Sequence, residues 1–208
     1  MNELRIAVPR GALFRETLDL LDRLGVNTAE VRSNDRKLLF EHAGIITMRP
    51  SDVPTYVEAG AADLGITGKD VLLEQSVREL YELVDLGYGH CTMVLATVDG
   101  EDPAAEALRR LGVMRIATKY PRVATRHFLE TGRQAEIVEV RGSVELAPLT
   151  GLAEGIVDLT ASGATLRENG LVVREELARS TARLIANPVS HKLKAKAIDT
   201  LLERLDAV

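Results

Sequence analysis

Short β-rich runs alternate along this chain with segments of helical periodicity, and that rhythm places it in the α/β class before any motif is read. Residues 4–8 (LRIAV) are strand-like, and residues 13–24 follow with Phe14, Leu18 and Leu21 on one helix face. The same alternation predicts helices over 51–59, 103–111 and 121–130, and strands over 62–67, 91–98 and 114–118. Strands separated by helices pair mostly in parallel. The 208 residues suffice for one large or two small domains. Two glycines in GYGHC, Gly87 and Gly89, mark a crossing between domains, and a return is expected near 175–180. The expected division is therefore a discontinuous domain I, 1–88 plus 180–208, around a domain II of 89–179. The last helix has Asn187 as its cap and Pro188 at its first position, with Leu193, Ala197, Leu201 and Leu205 as the stripe expected to pack on domain I.

Charge and composition exclude several classes. A net charge of −5 without any long Lys/Arg run leaves no basic surface for nucleic acid. No apolar run approaches the roughly 20 residues of a membrane helix. The start, MNELRIAVPRG, lacks the basic and apolar regions of a secretory signal, so a cytoplasmic location is expected. Cys91, the single cysteine, sits in the apolar run CTMVLATV and reads as a packing residue. His42, His90, His127 and His191 show no ligand spacing, and no protein metal site is expected. Any anion site must be local.

One loop supplies it. Ile156-Val157-Asp158-Leu159-Thr160-Ala161-Ser162-Gly163-Ala164-Thr165-Leu166 reads as a buried strand, a hydroxyl- and glycine-bearing turn and a helix start. Such a turn gathers backbone N–H groups at the positive end of a helix dipole, Thr160, Ser162 and Thr165 add hydroxyls, and Gly163 permits close approach, which together suit a phosphate monoester. Asp158, at the carboxyl end of the strand, is placed to accept from vicinal sugar hydroxyls. Phosphate beside diol points to a ribose 5-phosphate. The bare S-G-x-T pattern also suits a plain helix cap, with Asp158 satisfying the turn.

The longer run Glu145-LAPLT-Gly151-L-Ala153-EG-Ile156-V-Asp158-L-TA-Ser162-Gly163-A-Thr165-Leu166 decides between them, because it resembles the signature of the ATP phosphoribosyltransferase family at every specified position. PRGALFRETLDLL, MRPSDVPTYVEAGAADLGITGKDVLLE, RIATKYP and STARLIANPVSHK extend the resemblance over nearly the whole chain. It implies two α/β lobes with mostly parallel sheets around a cleft, the type II periplasmic-binding-protein-like arrangement. It implies that Glu145, Asp158, Leu159, Thr160, Ala161, Ser162, Gly163, Ala164 and Thr165 bind phosphoribosyl pyrophosphate. Two positions depart from relatives: Ala161, where many carry an acid, and Ala12, where many carry arginine.

Cations are required for a departing pyrophosphate and for a triphosphate, and arginine grips phosphate at two points where lysine cannot. By resemblance, Arg10 and Gly11 after the first strand reach nucleotide and pyrophosphate, and Arg49 joins them, with contributions from across a dimer interface possible in the family. Arg36 is assigned with Arg10 to catalysis; an arginine at either Arg36 or Arg49 would also suit a plain solvated surface. The turn Gly68-Lys69-Asp70 and Lys119 are assigned to ATP, although the turn also fits plain helix capping. The reaction implied is attack by adenine N1 on the anomeric carbon of phosphoribosyl pyrophosphate, releasing pyrophosphate. N1 carries no proton, so no general base is assigned. Mg2+ is expected chiefly on the substrate diphosphate. The length matches the short form of the family, without a C-terminal regulatory domain. That form implies a homodimer within a hetero-oligomer that includes a histidyl-tRNA-synthetase-like regulatory subunit. Two rivals stand beside this reading: a non-enzymatic binding module of the same two-lobed fold, and a nucleobase salvage phosphoribosyltransferase, whose usual pair of adjacent acids is here Asp158-Leu159.

Overall fold

The computed structural model describes residues 4–75 and 77–207. The chain divides into two compact units, Met1–Leu72, Ser76–Gly89 and Thr181–Val208 in the first, Leu73–Gln75 and His90–Ser180 in the second. The first unit holds strands β1 (Ile6–Pro9), β2 (Leu39–Phe40), β3 (Ile45–Met48), β4 (Leu64–Gly68), β5 (Tyr81–Asp85) and β11 (Ala182–Ala186). Its helices are α1 (Phe14–Arg23), α2 (Ala29–Ser33), α3 (Val53–Glu58), most of α4 (Lys69–Glu74), α9 (Pro188–Leu193) and α10 (Ala195–Asp206). The second unit holds β6 (Cys91–Val98), β7 (Met114–Thr118), β8 (Ala135–Glu139), β9 (Gly155–Thr160) and β10 (Leu171–Ser180). With them come α5 (Pro103–Leu111), α6 (Pro121–Glu130), α7 (Leu146–Leu149) and α8 (Ala164–Glu168).

The sheets run β2-β3-β1-β4-β11-β5 and β10-β6-β9-β7-β8. In the first, β1 is parallel to β3 and β4, while β2 and β11 run against the other four strands. In the second, β6 alone is reversed. Most strands thus share a direction, but the reversed ones sit next to same-direction neighbours and make the pairings mixed. Both faces of each central strand are covered, which is why IAVP is apolar throughout instead of alternating. Ile6 and Val8 pack with Leu18, Leu21, Ile198 and Leu201 of α1 and α10. Ala7 turns the other way, against Val53 and Val57 of α3. Helix α3 comes so close to β4 that a β-carbon on Gly65 would lie 2.6 Å from Val53 Cγ1 and 2.7 Å from Val57 Cγ2. The second sheet is built alike, Met93, Leu95, Ile116 and Val157 facing α5 and α6, and Val94, Ala96, Ala117 and Ile156 facing Ala147 and Leu166.

Two local details depart from the sequence reading. Leu73 packs among the second unit's residues, and the Glu74 carboxylate accepts the N–H groups of Arg122 and Val123, both at 3.0 Å. Glu74 thereby supplies the cap that Tyr120, which makes no side-chain cap bond, does not give α6. The expected single C-terminal helix is two, broken at Lys194 (φ −115°, ψ 27°). The break shifts the phase of the apolar stripe, so Leu193 is 77% exposed and the buried positions are Ile198 and Leu201.

Lys194 breaks the helix where its ammonium meets Asp63 (Nζ to Oδ2, 2.8 Å). The same carboxylate accepts from Ser190 Oγ (2.6 Å) and the Arg5 N–H (2.8 Å), while Asn187 caps α9 and donates to the carbonyls of Val57 and Glu58. Burial pushes the Asp63 carboxyl up, but the bonds from Lys194, Ser190 and Arg5 outweigh it and hold it below its ordinary value. A lowered carboxylate stabilises the fold above the unfolded value near pH 4 and loses that contribution as acid protonates the folded group. Asp63→Ala is expected to cost about 2 kcal/mol in urea unfolding at pH 7, and the gap to the parent should shrink at pH 3. An equal gap at both pH values would remove the charge from the explanation.

Candidate functional site

Strand β9 is buried as far as Asp158 and then runs into the turn 161–163, where Gly163 takes φ +72° and α8 begins. The left-handed backbone there requires glycine, while the nearest atom to an added β-carbon, Nη1 of Arg167 at 2.9 Å, is the movable end of a side chain. The Gly163 N–H donates to Thr160 Oγ1 (2.8 Å) and the Ala164 N–H to Ser162 Oγ (3.4 Å). Arg167 Nη1 donates to the Ser162 carbonyl (2.9 Å), occupying an oxygen that would repel an anion. Ala161, Ser162, Ala164 and Thr165 are exposed, while Leu166 anchors the helix in the core. The result is a surface turn whose N–H groups rest on its own hydroxyls, groups that can turn to an incoming phosphate.

Asp158 lies beneath that turn, 6% exposed. Its Oδ1 accepts the Leu159 N–H (2.8 Å), and Lys119 Nζ stands 3.3 Å from Oδ2. Lys119 is held there because β7 is parallel to β9 and Thr118 ties the two strand ends, donating to the Val157 carbonyl (2.6 Å) and accepting the Tyr120 N–H (2.9 Å). Burial pushes the Asp158 carboxyl above its ordinary value against the pull of the Leu159 N–H and Lys119, and the negative charge of Glu145, which precedes α7, adds to the rise. The Leu159 side chain packs among residues facing α5 and α6, so its backbone alone serves the site.

In the first unit the assigned residues stand at the carboxyl ends of three adjacent parallel strands, where α/β sheets bind ligands. Arg10 and Gly11 follow β1, Arg49 follows β3, and Gly68, Lys69 and Asp70 end β4 and begin α4. Arg10 lies over the Phe14 ring (5.3 Å) and donates to Thr47 Oγ1 (3.0 Å) and the Lys37 carbonyl (2.9 Å), with Asp35 at 3.8 Å. It therefore braces the residues on either side of Arg36, whose own side chain is exposed and, among the described residues, without a partner. Arg10 and Arg49 line one groove of about 560 Å³ with Thr47, Met48 and Tyr56. Lys69 is engaged by Glu82 (2.6 Å), which also meets Arg183 (3.3 Å), whose Nη2 lies 2.9 Å from Asp85.

The structure brings Glu145, Asp158, Leu159, Thr160, Ala161, Ser162, Gly163, Ala164 and Thr165 together, and Lys119, assigned from the sequence to the nucleotide, joins that group through Asp158. Arg167, Thr118 and Glu82 were not singled out from the sequence. Arg167, four residues past Gly163, has a positional signal on a short helix, but the other two act only through tertiary contacts. Among the described residues no three His, Cys, Asp or Glu side chains converge as a metal would need, and no helix is long and apolar enough to cross a membrane.

Known proteins resemble this chain over most of its length. The model of the HisG family, ATP phosphoribosyltransferase, matches residues 49–207. An ATP phosphoribosyltransferase of Rubrobacter xylanophilus is 54% identical over 205 residues, covering 97% of this chain and 94% of that one. The ATP phosphoribosyl transferase (HisG:HisZ) complex from Thermotoga maritima contains a chain that superposes with a TM-score of 0.83 at 35% identity, covering 98% of this chain and 97% of that one. The VFT2 domain of Bordetella pertussis BvgS, at 17% identity and a TM-score of 0.61 over 99% of this chain and 87% of that one, shares the fold.

A buried carboxylate with a raised value burdens the folded state once it is ionised, so its cost appears as pH rises through and above the ordinary carboxylate range. Asp158→Asn is expected to raise thermal stability at pH 7 by about 0.5–2 kcal/mol, the usual gain when a functional strain is relieved, with activity falling. The gain should fade below about pH 4, where the carboxyl is protonated in both states. Thermal unfolding of the two proteins at pH 7 and pH 3.5 measures it; a destabilised variant at pH 7 would overturn the burden.

Proposed function

The chain belongs to the ATP phosphoribosyltransferase family, and from that premise we propose how its residues divide the family's reaction, in which ATP and phosphoribosyl pyrophosphate give N1-(5-phosphoribosyl)-ATP and pyrophosphate at the first step of L-histidine biosynthesis. The phosphoribosyl group is assigned to the second unit. Its 5-phosphate takes the N–H groups and hydroxyls of the Thr160–Thr165 turn, and its ribose hydroxyls donate to Asp158, with Glu145 close by. The observation that carries this is the buried Asp158, paired with Lys119, at the root of an exposed turn whose Ser162 carbonyl is taken up by Arg167. That ammonium favours the ionised carboxylate, the form that accepts two hydrogen bonds.

ATP is assigned to Arg10, Gly11, Arg49, Gly68, Lys69 and Asp70 of the first unit. Arg10 and Arg36 serve the departing pyrophosphate, Arg10 by bracing the segment and Arg36 by its uncommitted guanidinium, which develops its full attraction as charge leaves with the diphosphate. The lone pair of adenine N1 forms the new bond to the anomeric carbon as the bond to pyrophosphate breaks, and no proton moves, so orientation and electrostatics carry the rate. Magnesium fits a site of this kind. Among the described residues the carboxylates of Asp158 and Glu145 would hold the ion, and only together with the diphosphate of the substrate, since they are fewer than a protein cage needs. When bound it neutralises charge on the leaving group.

A cytoplasmic location suits a biosynthetic enzyme of this kind. A homodimer within a hetero-oligomer is proposed, its second component a regulatory subunit resembling histidyl-tRNA synthetase; the HisG:HisZ pairing of the Thermotoga maritima complex supports it.

With ATP, phosphoribosyl pyrophosphate, magnesium and pyrophosphatase, the chain together with such a regulatory subunit is expected to produce the absorbance of phosphoribosyl-ATP. Arg36→Ala should lower kcat about 10²-fold while calorimetric binding of phosphoribosyl pyrophosphate is kept. An unchanged kcat would strike Arg36 from catalysis. Binding of phosphoribosyl pyrophosphate unaltered by Gly163→Val would do the same for the turn.

A further inference from the structure

At the opposite end of β1 from Arg10, the first unit contains a cavity of about 620 Å³ whose lining includes His42, Lys196 and Arg204 over Leu4, Ile6 and Leu201. Its existence has a local cause. Helix α10 presents two stripes side by side, Lys196, Thr200 and Arg204 at intervals of four, and Ala197 and Leu201 next to them. The small residues Gly25, Ala43 and Ala197 stand where longer side chains would close the space. Ligand sites are concave clefts of about this size with an apolar floor and a few polar groups at the rim, the form this one has.

The charges select its class. No carboxylate lines the cavity among the described residues, although the chain carries five more acidic than basic side chains. The side chains of Lys196 and His42 have no hydrogen-bond, ion-pair or ring partner among the described residues. Arg204 donates to the Leu24 carbonyl at 3.2 Å and is thereby held at the rim. Other cations of the first unit are bonded, Arg32 to Asp19 and Asp22 and Lys194 to Asp63. Lys196 and Arg204, with the His42 imidazole, around an apolar floor complement a body that is greasy at one end and anionic at the other.

We propose that this cavity is a second ligand site, taking a small organic anion in which a carboxylate or phosphate monoester is joined to an apolar body. The anion meets Lys196, His42 and Arg204, and the body covers Leu4, Ile6 and Leu201. The six residue-to-residue steps from Leu4 to Arg10 span roughly 20 Å when extended, so occupancy here leaves the residues assigned to ATP uncovered.

The test uses the isotope-labelled full chain titrated with benzoate and with phenyl phosphate, and with phenol and inorganic phosphate as probes lacking the charge or the apolar body, while backbone amide signals are followed by NMR. Saturable shifts at 25–27, 42–43 and 196–204 are expected with the two aromatic anions, and at least tenfold weaker binding there with phenol and inorganic phosphate. The stronger of the two anions identifies the head group. Lys196→Glu should weaken both at least tenfold and leave the phosphate response of residues 158–166 intact; an acidic side chain in the first turn of a helix is tolerated, so the fold is kept. His42→Gln should weaken binding as well. Absence of saturable shifts with both anions, an equal response to phenol, or undiminished affinity in Lys196→Glu would each overturn the proposal.

Discussion

The first sheet depends on a strand delivered from the far end of the chain. β11 lies between β4 and β5, antiparallel to both, so without residues 182–186 the edge strand β5 would have no neighbour. The pairing closes a loop of more than a hundred residues, in which the whole second sheet is strung between two crossings. Those crossings are held side by side: Tyr88 O accepts the Ala182 N–H at 2.9 Å in one unit, and Ser180 pairs with Cys91 in the other. Such long-range closure is entropically costly, which explains the density of bonds just past β11. Asp63 and Asn187 together engage Arg5, Val57, Glu58, Ser190 and Lys194, so the strand, the two helices after it and the start of β4 lock as one.

A parallel arrangement fixed in this way determines where chemistry can occur. Carboxyl ends of β1, β3 and β4 gather Arg10, Arg49 and Lys69, and carboxyl ends of β7 and β9 gather Lys119 and Asp158. In a chain of net charge −5 the cations needed for phosphate chemistry are thus concentrated by topology and not by composition. Several are already bonded: Arg10 to Thr47 and Lys37, Lys69 to Glu82. Such bonds hold a guanidinium or ammonium in one orientation, so its side-chain entropy is spent on folding and not on meeting a ligand.

What was legible in the sequence was local. Strand β6 and helices α5 and α6 have the limits that periodicity, Pro103 and Pro121 announce. The phosphate turn was readable because strand end, hydroxyls and glycine are consecutive. β10 was not read as a strand, since it is an edge strand with exposed charges and two register shifts, at 173–175 and 176–178, that spoil alternation. Leu193 was misplaced because helical phase was carried through Lys194, whose backbone turns to satisfy a carboxylate 131 residues away. Nothing near Lys194 in the sequence discloses that partner.

The same blindness to distant partners explains Lys119. Its motif, ATKYP, puts a cation after a strand, which is equally suited to triphosphate or to any other anion. What the motif does not show is that β7 and β9 pair in parallel with Ile116 opposite Gly155 and Thr118 opposite Val157, so the next residue on each strand, Lys119 and Asp158, comes into reach. Once Asp158 is buried with Glu145 nearby, its ionised form needs a positive charge at hand, and Lys119 is the one within 3.3 Å. Without Lys119 that carboxylate would have only the Leu159 N–H to set against burial and the Glu145 charge, and its protonated form, which accepts fewer hydrogen bonds, would be favoured. Register, more than residue type, therefore sets which carboxylate Lys119 meets in the folded chain.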